Sequence, residues 1–133
     1  MAYDPLYIQY LHYFNVERDY FECHEVMEEL WLEEGRDPLF QGLLQAAVGL
    51  YHARNDNVSG AIKMFDQALQ KLSRYPEEIL GINLAKLISD CEHYKEKLKS
   101  NQQSPFPFDD LTIEIIDPWL ADQVLNEIER NFD

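Results

Sequence analysis

Basic residues are scarce in this sequence: 11 Lys and Arg stand against 25 Asp and Glu, for a formal net charge of -14. A field of that sign repels phosphate backbones and anionic headgroups, so neither nucleic acid nor a membrane surface is an expected partner. Cysteine is equally rare. Cys23 and Cys91 stand far apart, with no Cys-x-x-Cys spacing and no secretory signal ahead of them. They read as small apolar core residues of a protein in a reducing, cytoplasmic compartment. A long apolar run is missing too. The longest charge-free stretch takes in Leu39 to Ala53, with Gln41, Gln45 and His52, and is too short and too polar to span a bilayer.

What is present is a core. Hydrophobic residues make up 46% of the 133 and aromatics 13%, enough apolar area to offset the entropy of ordering one domain. The acids are unevenly placed. Met1 to Glu34 holds nine acids and one base, Pro105 to Asp133 eight and one, and the stretch between them eight and nine. Two readings stay open for these acidic ends: a solvated surface that keeps the chain soluble, or a site for a cation or a basic partner.

Periodicity predicts helices throughout. Leu6, Tyr7, Tyr10, Leu11 and Phe14 follow Pro5 at spacings of three and four, which suits a short first helix. Asp19, with Glu22 three residues on, caps a second over about Tyr20 to Glu34. Pro38 opens a third, Leu39 to Arg54, apolar nearly all round and so the expected central post. On it Gly42 and Gly49 share one stripe, where a neighbouring backbone can approach closely. A fourth, amphipathic helix is predicted from Ala61 to Tyr75, and Asn83 caps a fifth to about Lys99. Pro76 and Gly81 leave only a weak piece between them.

Residues Ser100 to Asp110 have linker composition, yet Phe106 and Phe108 predict that this stretch lies against the bundle. Leu111, Ile113 and Ile115 alternate with polar residues as an extended segment, and Asp117-Pro118 opens a last helix running through Ile128. The expected fold is all-α: a compact bundle of roughly five helices over residues 1–104. Residues 105–133 form an extended, partly helical C-terminal arm, packed on the bundle or on a partner chain.

One constellation could carry chemistry. On the second helix Glu22, Glu25, Glu29 and Glu33 gather on one arc, while His24 and Glu28, four residues apart, stack on a stripe bracketed by Tyr20 and Trp31 on one side and Phe21 and Leu32 on the other. On the third helix Gln41, Gln45 and His52 form an uncharged polar stripe. If the stripes meet, His24, Glu28, Gln45 and His52 make an interior polar cluster, with Tyr20 or Tyr51 nearby. Such a cluster reads first as a hydrogen-bond network that fixes helix register. It reads second as an acid-base or small-ligand pocket, and third as a divalent metal site using His24, Glu28 and His52. No cofactor is otherwise expected, since a closed zinc site wants four ligands and a second Glu-x-x-His is absent. The zinc-protease pattern His-Glu-x-x-His fails because Glu28 stands in place of the second His. His12 and His93 show no partner at helical spacing and receive no role. Trp31 and Trp119 are expected as core anchors.

The run Tyr20-Phe-Glu-Cys-His24-Glu25-Val-Met-Glu28-Glu-Leu-Trp31, with Gly-Leu-Leu-Gln45 and Leu-Tyr-His52 after it, resembles family 309 of the domains of unknown function. The likeness covers about Asp4 to Leu72. It implies a compact helical bundle with no established activity, in which His24, Glu25, Glu28 and Trp31 match the motif. A weaker likeness to one tetratricopeptide hairpin rests on Ala61, Phe65 and Ala68 with Gly49; since a lone repeat cannot bury its own faces, it implies hairpin geometry only. From the residues, the leading expectation for function is a module that binds a protein partner or forms a homo-oligomer. The alternative is an enzyme or a small-ligand or metal-binding protein built on His24, Glu28 and His52.

Overall fold

A computed structural model describes residues 3–100 and 107–127. Among them are six α-helices: α1 Pro5–His12, α2 Tyr20–Glu33, α3 Pro38–Arg54, α4 Val58–Leu72, α5 Leu84–Ser100 and α6 Pro118–Leu125. Each starts on an Asp or Asn side chain that accepts a backbone N–H of the first turn: Asp4 from Leu6, Asp19 from Glu22, Asp37 from Leu39, Asn57 from Gly60, Asn83 from Lys86 and Asp117 from Trp119. These bonds satisfy donors that a helix start otherwise leaves open. Proline leads α1, α3 and α6, where its missing N–H costs nothing.

The helix α3 is the central post, packed on α2 along one side and on α4 along the other, with Leu43, Ala46, Ala47 and Leu50 fully buried. Its glycines permit that closeness. A Cβ on Gly42 would stand 2.8 Å from Leu72 Cδ2, and one on Gly49 would stand 2.8 Å from the Phe65 ring. Both thiols, Cys23 and Cys91, are buried and free.

Four departures from the expected elements have local causes. The first helix does not run straight to Phe14 but widens into a π-helical turn, Tyr13–Glu17, closed by Arg18 at a left-handed φ of 56°. The fourth helix starts three residues early, at Val58, because Asn57 caps it. The weak piece before α5 is a hairpin, β1 Glu78–Ile79 with β2 Ile82–Asn83, turned by Leu80 and Gly81 at φ 51° and 76°; two successive left-handed residues suit such two-residue turns. Trp119 is not a core anchor: it stacks on Tyr3 and is 48% exposed.

The described part of the C-terminal arm lies on its own bundle. Phe108 packs against Tyr20 and Tyr94, while Phe106 and Ile128 fall outside the described residues. Ile115 bridges Ile82, extending the hairpin by one strand-like segment. The Asn15 amide clasps Ile113, donating to its carbonyl at 2.8 Å and accepting its N–H at 2.9 Å. The Arg18 guanidinium donates to the Leu111 carbonyl, and α6 covers α1 through buried Leu120 and Val124. No helix among the described residues is long and apolar enough to cross a membrane.

Candidate functional site

The buried face of α2 is set by Tyr20, Cys23, Met27 and Leu30, all at most 1% exposed. At about 100° per residue from Tyr20, these four centre near 320°. His24 then sits about 80° off that centre and Glu28 about 120° off, so both stand at the seam between α2 and α3 and not beneath it. Of the four residues expected to bracket them, Tyr20 is buried and Trp31 half-buried, while Phe21 is 52% exposed and Leu32 50%. This corrects the interior placement read from the helical wheel. The His24 side chain is 34% exposed and that of Glu28 49%.

The pair itself is formed. His24 Nε2 lies 3.2 Å from Glu28 Oε2, and His24 Nδ1 lies 3.1 Å from Glu25 Oε1. An imidazole can donate from both ring nitrogens only as the imidazolium, so the neutral ring donates to one of these two carboxylates at a time.

Beside this group runs a shallow hollow of about 280 Å³ bounded by His24, Glu28, Trp31, Gln41 and Gln45, with Leu44, Val48 and Met64 as its apolar part. The two polar stripes therefore do face each other, across an open seam. Gln45 is 7% exposed, but its amide reaches α4, where Nε2 donates to Gln67 Oε1 at 3.0 Å. Its Oε1 has no partner, and neither does the buried Trp31 Nε1. Trp31, expected in the core, is only half-buried, with the Arg36 guanidinium 5.4 Å from its ring centre.

His52 does not join Glu28. It borders an adjoining hollow of about 200 Å³ with Tyr20, Phe21, His24, Val48 and Tyr51, and its Nδ1 lies 3.2 Å from the Asn57 amide that caps α4. Phe21 and Tyr51 meet above that hollow with ring centres 6.2 Å apart. Burial and a hydrogen bond to Asp110 push the Tyr20 phenol well above its ordinary range. Among the described residues no three His, Cys, Asp or Glu side chains converge to hold a metal ion, so His24, Glu28 and His52 are not drawn together as a ligand set.

A buried histidine escaped the periodicity. His12 is 0% exposed; its Nδ1–H donates to the Val124 carbonyl at 2.7 Å and its Nε2 lies 3.2 Å from Glu17 Oε1. Nothing near His12 in the chain signals this, because the carbonyl it reaches is 112 residues away.

Residues 7–64 match the family described as a domain of unknown function, DUF309, the family that the His-Glu-x-x-Glu-x-x-Trp run resembles. His24, Glu28, Trp31, Gln45 and His52 all fall inside the matched range, and the C-terminal arm falls outside it. An uncharacterized protein of Bacillus subtilis (strain 168), YpuF, is 34% identical over 103 residues, covering 74% of this chain and 59% of its own length. An uncharacterized protein of Aquifex aeolicus (strain VF5) is 29% identical over 72 residues, covering 52% of this chain and 22% of its own length. The chain thus spans less than two thirds of either relative. No solved structure matches it.

Proposed function

Starting from a chain that carries the DUF309 domain, we propose that it is a protein-docking module whose binding face is the α2–α3 seam, and that the seam takes a basic, apolar-bearing segment of a partner protein. The observation that carries this reading is the row of aromatics left open along the seam. Phe21 and Tyr51 are 52% and 38% exposed and Trp31 is half-buried, against the usual tendency of large apolar groups to be covered. Charge selects the partner. The helix α2 carries five glutamates and no Lys or Arg, on a chain of net charge -14, so acidic segments are repelled and basic ones steered in. The arm is the poorer candidate for docking, since its described part is committed to α1, α5 and the hairpin.

The reading is tested by selecting displayed random peptides on the wild-type protein and on a Glu25→Lys, Glu28→Lys double variant. The expected result is enrichment of peptides that combine Lys or Arg with two or more large apolar residues, with affinity falling at least tenfold in the double variant and falling with added salt. Recovery of acidic peptides, of peptides bound equally by both proteins, or of none at all overturns it.

A further inference from the structure

Two residues that border the hollow beside His24 each carry a buried polar atom without a partner, one of each kind: the Trp31 Nε1–H donor and the Gln45 Oε1 acceptor. The side chain of Gln45 is more than nine-tenths buried, and both residues border the same cavity. If the Gln45 amide is turned over, its other end becomes the unpaired one, so the imbalance does not depend on which way the amide is set. Buried polar groups are nearly always paired, and exceptions of this sort concentrate where something binds.

We infer that Trp31 and Gln45 form an amide-recognition subsite within the docking seam, taking either a peptide group or a primary carboxamide. This rests on the docking reading above. The chemistry narrows the choice. A ligand that repairs both atoms must offer an acceptor to the indole and a donor to Gln45, or an acceptor to each if the amide is turned; a planar amide carries both on neighbouring atoms. A carboxylate meets Glu28 at the rim of the same hollow and the net negative field of the chain. An ammonium or guanidinium has donors only and leaves the indole unpaired. Leu44, Val48 and Met64 supply the apolar contact for the carbon atoms on either side of such an amide.

The experiment uses the full chain with Trp119→Phe, which leaves Trp31 as the single indole in proton–nitrogen spectra. The probes are N-methylacetamide for a peptide group, propionamide for a side-chain carboxamide, and acetate and isopropanol as controls. The expected result is a saturable shift of the Trp31 indole N–H and the Gln45 side-chain amide signals with at least one amide, and none with acetate or isopropanol. The amide that binds more tightly identifies the source. Gln45→Leu, checked for an unchanged melt, should weaken that amide at least fivefold. Equal shifts from acetate or isopropanol, no shift from either amide, or a Gln45→Leu protein that responds like the parent overturns the subsite. Selected peptides that bind wild type and Gln45→Leu equally sink this inference and leave the docking reading intact. Amide shifts without any selected peptide do the reverse.

Discussion

Among the described residues a histidine pairs with glutamate at two places, and the two settings are opposite. His12 is sealed under α6, with Glu17 on one ring nitrogen and the Val124 carbonyl on the other. His24 is a third exposed, with both nitrogens on carboxylates of its own helix. Around His12, Asn15, Arg18 and Tyr3 reach across to Ile113, Leu111 and Asp117. Around His24, the indole of Trp31 and one end of Gln45 go unpaired. The first side of the bundle is closed by polar contacts to the arm, and the second keeps an open hollow beside two buried polar atoms without partners. The docking proposed above calls for that division, because a closed face has little left to offer a ligand.

The comparison can be broken most decisively at the histidines. His12→Ala removes a buried ring and leaves the Val124 carbonyl without its donor, for an expected loss of about 2–4 kcal/mol in urea unfolding. His24→Ala should stay within about 0.5 kcal/mol of wild type, as exposed helix pairs do. Similar losses in the two variants would erase the distinction between the faces.

The next contrast sets Asn15 against Glu28. Asn15→Ala strands both backbone groups of Ile113 and should cost about 1–3 kcal/mol, with faster hydrogen exchange at the Ile113 amide. Glu28→Ala should cost less than about 0.5 kcal/mol; a loss of several kcal/mol would show that Glu28 is held far more tightly than its exposure indicates. A smaller effect of opposite sign is expected at Gln45. Gln45→Leu removes a half-paired buried amide, and melting should be unchanged or raised by about 0.5 kcal/mol, because Gln67 is open enough to turn to water.

The smallest effects are in pH. The Tyr3 hydroxyl, 2.6 Å away, is the largest cause holding the Asp117 carboxyl below its ordinary range. A carboxyl depressed in the folded state adds stability that is present above its unfolded pKa and lost as pH falls through the folded one. The same hydrogen bond is the main cause of the rise of the Tyr3 phenol from its ordinary 10.0 to about 12, so that contribution is intact below pH 10 and lost as pH rises through about 12. Fluorescence of Trp119, stacked on Tyr3, should report a small acid-side and a small alkaline-side change, and Tyr3→Phe should flatten both. Profiles identical in the variant would detach this bond from the arm's docking.

Much of the architecture was legible. Apolar spacing with Asp or Asn ahead of it located the helix starts to within three residues, and the all-round apolar character of Leu39 to Arg54 marked the central post. Gly42 and Gly49 were readable as points of close approach, now against Leu72 and Phe65. The facing of the α2 and α3 stripes was legible in angle and illegible in depth. Phe21 and Leu32 looked like an interior bracket because apolar side chains are usually covered, and here they are not. The hairpin at Glu78 to Asn83 was hidden because its turn uses Leu80 in a left-handed conformation, which a leucine rarely signals.

By itself, then, the sequence determined the helices, the caps at Asp19 and Asn83, the place of α3 as central post and the side of α2 on which His24, Glu28 and Trp31 stand. Local hydrogen bonding and periodicity are properties of neighbours in the chain, and those suffice for such features. Only the tertiary structure decided which histidine is buried and which is open. A wheel fixes the direction of a side chain, but depth depends on whether a distant segment arrives to cover it. The helix α6 arrives over His12, while among the described residues the seam at His24 stays an open hollow.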